Sequence, residues 1–290
     1  ANAQWFARSD TRNFHEYACN LLSGRPWGNF WFEDPRFAGY AFRQYHAPGY
    51  PLLLTATYAL TGFDQEAYLK SPMANVMTGA NPWRAVGFNP RHMYTVHILL
   101  DLLTMAALVG LAYRYFDARC AFGVQVISAL SVMWTPVLIS ETLFNAAFTS
   151  GLWAAGTNPD FTRRGRNLAF SLALLVAVMT KPMGIVLAGA AGLPLLRRWE
   201  VRGMIRLASL GLPLVLYIAV MFWNSHRIYG RAFFMSNRGE ALAVNTYLPE
   251  LYVPYEQAYG YLKEKLGRIP MEWEVNDRYQ EVFKQRIRAQ

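Results

Sequence analysis

The chain has 290 residues, of which 53% are hydrophobic and 15% aromatic but only 16% charged, well under the roughly 25% charged residues of a soluble domain. Mean hydropathy is only +0.09, so the apolar runs are diluted by long polar segments, as in a polytopic all-α membrane protein with sizeable loops outside the bilayer. The net charge of +9 does not indicate a nucleic-acid partner, because many of its Lys and Arg residues sit in short turns between apolar runs, where positive-inside bias accounts for them.

The first residues read as a loop with no signal peptide, and a transmembrane helix is expected to precede them. In WFARSDTRNFHEYACNLLSG, Ser9 and Asp10 are cap-type residues. Phe14, Tyr17, Ala18, Leu21 and Leu22 then recur at helical spacing until Gly24 stops the run. This helix has one apolar face and is too short to span a bilayer. Asp10 is read either as an N-cap or as a functional acid. The segment RPWGNFWFEDPRFAGYAFRQYHAPGY, dense in aromatics, Arg, Gly and Pro, reads as an ordered irregular loop near the interface. Pro51 suits a helix start and Gly62 an end, giving a helix of about 11 residues, roughly 16 Å long. It should lie on or dip into the membrane. Residues 63–90 read as an insertion in the same outer loop.

Six apolar runs follow: Met93 to Ala112, Phe122 to Leu138, Thr142 to Gly156, Asn167 to Met179, Met183 to Leu196 and Leu207 to Trp223. If Arg114 and Arg119, then Arg163, Arg164 and Arg166, then Arg197, Arg198, Arg202 and Arg206 all face the cytoplasm, every pass alternates correctly. Asp10, Glu141, Lys181 and Arg227 then share the outer side. The three short runs in the middle need flanking residues or local thinning to cross. Cys19 and Cys120 fall on opposite sides and support no disulfide framework.

Glu141 stands at a helix mouth in LISETLF, where it either favours the helix dipole or acts as a functional acid at membrane depth. Lys181, between two short helices, either snorkels or meets an anion. Arg91 has the same two readings. His97 and Asp101, one helical turn apart, are expected to satisfy each other inside the bundle rather than relay protons. His15, His46, His92 and His226 show no metal-ligand spacing, and no metal or other cofactor is implied. Residues 272–290, EWEVNDRYQEVFKQRIRAQ, have the spacing of a soluble amphipathic helix.

Several of these segments together resemble the bacterial polyprenyl-phosphate-sugar-dependent glycosyltransferases of the C-type superfamily, related to protein O-mannosyltransferases and lipid A aminoarabinose transferase. The acid with following Tyr, Ala and Leu-Leu-x-Gly around Asp10 resembles the opening of that family's first extracytoplasmic loop. Tyr45-His46-Ala47-Pro48-Gly49-Tyr50-Pro51-Leu52 resembles its Y-x-P-P-G-Y-P-L signature, with Ala47 in place of Pro or Lys. Ser140 to Phe144 resembles its S-E-T-L-F pattern, and Thr180-Lys181-Pro182 its T-K or T-R-P turn. Phe222 to Gly230 resembles its W-x-x-R-N-x-x-x-G segment, with Arg227 shifted and the following Asn replaced.

The resemblance implies a helix bundle with large extracytoplasmic loops and juxtamembrane helices, and an internal fragment of a longer enzyme. It divides the chain into a first outer loop (1–92), a transmembrane bundle (93–223) and a second outer loop (224–290). The implied reaction is transfer of a sugar from a polyprenyl phosphate to a lipid, glycan or protein acceptor on the outer face of the cytoplasmic membrane. Asp10 and Glu141 would be the catalytic acids, with Asp10 as general base although Thr11 replaces the usual second acid. Lys181, Arg227 and Arg91 would bind the donor phosphate, and Tyr45, His46, Pro48 and Tyr50 would form the substrate loop. A transporter or lipid flippase using the same charges is the alternative, but the charges gather at one rim and no inverted repeat is seen.

Overall fold

The computed structural model describes residues 10–24, 47–64, 66, 90–132, 140–229, 255–267 and 272–289. Among these residues the fold is all-α, with no strand. The helices are α1 (Asp10–Leu22), α2 (Gly49–Thr61), α3 (Pro90–Tyr115), α4 (Ala118–Val132), α5 (Ser140–Gly156) and α6 (Arg164–Thr180), followed by a 3-10 turn (Pro182–Ile185). Then come α7 (Val186–Arg197), α8 (Val201–Leu210), α9 (Leu212–Tyr229), α10 (Tyr255–Leu266) and α11 (Glu272–Ala289). The described residues up to Ala219 form one compact unit, and those from Val220 onward belong to a second.

In the first unit α5 is the hub, packed against α3, α6 and α7. Its sequence explains why: SETLFNAAFTSGLWAAG offers small residues on several faces, so neighbouring backbones can come close. A Cβ on Gly151 would lie 2.4 Å from Leu187 Cδ2, and one on Gly156 would lie 2.7 Å from the Tyr115 hydroxyl. From α3, Gly110 makes the reciprocal approach, where a Cβ would meet Trp153 Nε1 at 2.8 Å. Larger residues at these crossings would force the helices apart, at about 1–3 kcal/mol for each such overpacking.

The helix α3, at 26 residues, is longer than the run expected from Met93 to Ala112. Its stretch His92–Tyr115 is the one described helix long and apolar enough to cross a membrane unaided. The run expected from Leu207 to Trp223 is not one straight helix. The chain bends by 42° between α8 and α9, where Gly211 is followed by Leu212 and Pro213. Pro213 has no N–H to continue the hydrogen-bond ladder, so α9 has to start afresh. Counted together, the bent pair would be a second span.

Two opposite ends organise the first unit. At one, the Tyr115 hydroxyl donates to Gly156 O at 3.0 Å, Arg198 pairs with Asp160 at 3.5 Å, and Arg206 donates to Asp160 O at 3.1 Å. Asn158 orders the turn there: its amide donates to Asn167 Oδ1 at 2.7 Å and its carbonyl accepts from the Thr162 and Arg163 amides. The arginine segments 114–119, 163–166 and 197–206 thus gather at this end. From it α6 runs back, beside α5 of 17 residues or roughly 25 Å, to the other end, where α5 begins at Glu141 and α6 gives way to Lys181. In the second unit α10 and α11 pack together, with the Arg278 guanidinium 4.3 Å from the Tyr261 ring centroid.

Candidate functional site

The start of α2 meets the end of α6 at Gly49. A Cβ there would lie 2.5 Å from Thr180 Oγ1 and 2.8 Å from the Thr180 backbone nitrogen, so only glycine allows this approach. The contact joins the two segments Pro48-Gly49-Tyr50 and Thr180-Lys181-Pro182, which are about 130 residues apart in sequence. Gly49→Ala is expected to destabilise the protein by about 1–3 kcal/mol through overpacking, read as a lower melting temperature. Thr180→Ala in the same chain should restore only part of the loss, since the backbone clash remains. Unchanged melting of Gly49→Ala would refute the close approach.

Tyr50 is buried against Phe14 of α1, ring centroids 5.0 Å apart. Its hydroxyl lies 2.8 Å from His97 Nε2, the donor depending on the His97 tautomer. The expected pairing of His97 with Asp101 is therefore corrected: His97 is held by Tyr50. Side chains on a helix lean toward its N-terminus, and α2 packs on α3 there, so the imidazole reaches across to α2 rather than down to Asp101. Burial, followed by the nearby Glu141 charge, pushes the Tyr50 hydroxyl far above the usual phenol range. Tyr50 stays neutral and ties α1, α2 and α3 together beside Glu141.

Glu141 and Lys181 form an ion pair, Nζ to Oε1 2.5 Å. Lys181 is presented by the chain break that Pro182 enforces. A residue before proline is driven out of the helical region, and Lys181 sits at φ −143 and ψ 127 with its N–H still bonded to Ala177 O. Its ammonium also lies 5.9 Å from the centroid of Phe144, one turn below Glu141. Partial burial raises the Glu141 pKa, but the Lys181 hydrogen bond, its own backbone N–H and the Ser140 hydroxyl outweigh this and leave it below the ordinary carboxylate range. The side chains are 48% exposed for Glu141 and 31% for Lys181, so a ligand can reach the pair. A carboxylate and an ammonium at the rim of a helix end, beside a glycine-lined turn, can orient a polar ligand and neutralise an anion.

A second polar cluster has no motif in the sequence that announces it. His15 Nδ1 lies 2.9 Å from the Tyr58 hydroxyl and His15 Nε2 3.6 Å from Cys19 Sγ, all three side chains buried between α1 and α2. The signal available was the spacing of His15 and Cys19, four apart on a helix otherwise buried along Phe14, Tyr17 and Ala18. Burial lowers the His15 pKa to about 4. Between roughly pH 6.5 and 4 the unfolded chain therefore binds a proton that the fold refuses. The stability of the α1–α2 contact should be full above pH 6.5 and fall by roughly 1.4 kcal/mol per pH unit below it. The protection of the α1 amides relative to their intrinsic exchange rate at each pH should fall accordingly between pH 7 and 5, and His15→Gln should flatten that dependence; an equal fall in the variant would refute the assignment.

Of the other expected site residues, Asp10 opens α1, though its side chain and that of Arg91 lie outside the described residues, as do Tyr45 and His46. Pro48 is buried at the start of α2. Arg227 belongs to the second unit, its guanidinium 5.8 Å from the Trp223 ring centroid. Gly49, Thr180 and His97 were not expected at the site; only the unusual Gly49-Tyr50-Pro51 helix start hinted at the first. Among the described residues, no three His, Cys, Asp or Glu side chains gather as metal ligands. Comparison with protein-family models, curated proteins and solved structures finds no match to this chain.

Proposed function

We propose that this chain is part of a polytopic membrane glycosyltransferase that moves a sugar from a polyprenyl phosphate to an acceptor hydroxyl on the extracytoplasmic face. The observation that carries this reading is the Glu141–Lys181 pair at the Gly49–Thr180 contact. Three segments that resemble the family separately in sequence meet at that one point. The membrane part of the reading draws on α3, where only 17% of the most apolar window is buried and Ile98, Leu99, Leu102 and Leu103 are exposed. A soluble core helix would turn such residues inward. The arginines at the opposite end of the unit fit a cytoplasmic side, with Glu141 and Lys181 outside.

In the proposed reaction the Asp10 carboxylate takes the proton of the acceptor hydroxyl, whose oxygen forms a bond to the anomeric carbon on the face opposite the phosphate. The anomeric C–O bond to phosphate breaks, and its electron pair leaves with the polyprenyl phosphate. Lys181 neutralises the charge that develops there. Glu141 holds Lys181 in place, and the Tyr50–His97 bond holds the first turn of α2, which carries Gly49, against it. The test is to incubate the purified full-length protein with a panel of labelled polyprenyl phosphate sugars and an envelope lipid extract. Transfer from at least one donor is the expected result. No transfer from any donor, together with movement of the labelled lipid across sealed vesicles, would establish the transporter reading instead.

A further inference from the structure

Toward the arginine end of the first unit, α3, α4, α5 and α7 line a cavity of about 420 Å³ that is partly open to the surface, within the roughly 300–1,000 Å³ of ordinary ligand sites. Leu108, Ala112, Val124, Leu152 and Ala191 are among its walls. Among the described residues lining it, Tyr115 has the only polar side chain, and its hydroxyl is already bonded to Gly156 O. Walls so largely apolar offer water few partners, so an apolar chain is the natural occupant of the cavity.

The margin of the cavity is charged. Pro159 and Pro194 belong to the lining. Asp160, the next residue after Pro159, pairs with Arg198, and the Arg198 N–H bonds to Pro194 O at 3.2 Å. The Arg166 guanidinium reaches Thr157 O, beside Gly156 of the lining. Across segments 114–119, 157–166 and 197–206, nine arginines face three acids. Trp199 is 83% exposed, and Val201 and Ile205 also stand out on α8 among these arginines. That mixture of basic, aromatic and aliphatic side chains suits the boundary between lipid headgroups and acyl chains.

We infer that this cavity binds one acyl chain of an anionic phospholipid, with Arg197 and Arg198 at its margin holding the phosphate. A basic site between helices on the arginine-rich side is the arrangement that recognises anionic headgroups. The inference rests on the membrane reading and is independent of sugar transfer, because the site lies at the other end of the unit from Glu141 and Lys181.

The experiment is native mass spectrometry of the full-length protein in a maltoside detergent, with equal amounts of dioleoyl phosphatidylglycerol and dioleoyl phosphatidylcholine added. Retention of phosphatidylglycerol is expected to exceed that of phosphatidylcholine by about fivefold or more. Ala190 lines the cavity yet is exposed, so Ala190→Trp should fill it without unfolding the protein and reduce retention of both lipids. Val124→Trp, from another wall, should do the same. The double variant Arg197→Gln, Arg198→Gln should retain both lipids equally. Equal retention by the unaltered protein, unchanged retention by both Trp variants, or displacement by excess glycerol 3-phosphate would each overturn the inference. Sugar transfer measured on the same preparations separates this outcome from failure of the glycosyltransferase reading.

Discussion

Lys181→Met is expected to lower sugar transfer by roughly 100-fold or more, by analogy with loss of a donor aimed at developing charge. Only an interaction that strengthens in the transition state accelerates the chemistry, and the departing lipid phosphate gains negative charge as the glycosidic bond breaks. The Lys181 ammonium is held in position by Glu141 and by the extended backbone before Pro182. Methionine keeps the apolar stem beside Phe144 and removes only the charge. Loss of so exposed an ion pair should change stability by no more than about 1 kcal/mol, so the variant should fold.

Glu141→Gln supplies the control. The carboxylate pKa is held below its ordinary value, so the ion pair persists above the ordinary carboxylate range and is lost as the pH falls through that lowered value. Activity of the unaltered protein should decline across that acid window, whereas the part of the decline due to Glu141 should be missing from Glu141→Gln. Transfer by a well-folded Lys181→Met protein at the ordinary rate would make Lys181 a snorkelling side chain and send the search for the phosphate-binding cation elsewhere.

How much of this was legible in the sequence depends on whether the signal was local. Helix identities were, because apolar runs and turn residues act over a few positions. The run from Asn167 to Met179 became α6, and Thr180-Lys181-Pro182 became the break before the 3-10 turn. The segregation of arginines from Glu141 and Lys181 was also legible, since charge between apolar runs marks the ends of helices. The bend at Gly211 could have been read from the following Pro213, but hydropathy across Leu207 to Trp223 concealed it.

Tertiary partners were not legible. One-turn spacing predicts Asp101 as the partner of His97, yet side-chain lean and the packing of α2 on α3 give His97 to Tyr50. Nothing near Gly49 in sequence reveals that Thr180 stands 2.5 Å from its missing Cβ. Sequence identified Glu141 and Lys181 as separate candidates; their pairing is a property of the α5–α6 crossing, which small residues on α5 permit.

The remaining expectation concerns Asp10, for which Asp10→Asn should abolish transfer while leaving folding and donor binding nearly intact. One-step displacement needs a base to take the acceptor proton, a role that a carboxylate can fill and an amide cannot. The residue opens α1, whose next turn carries Phe14 against Tyr50 and so anchors the start of this helix to the same end of α2 that Gly49 sets against Thr180. A structural role predicts something different. Asn caps helices about as well as Asp, and loss of an acid from the first turn removes at most about 1 kcal/mol of dipole interaction, so a capping residue would tolerate the change with little loss of either stability or turnover. Turnover, donor binding and melting temperature measured on one preparation therefore separate the two roles. Turnover lost with the other two intact assigns the base to Asp10, whereas near-normal turnover leaves Asp10 as a cap and moves the search for the base to Glu141 or Glu16.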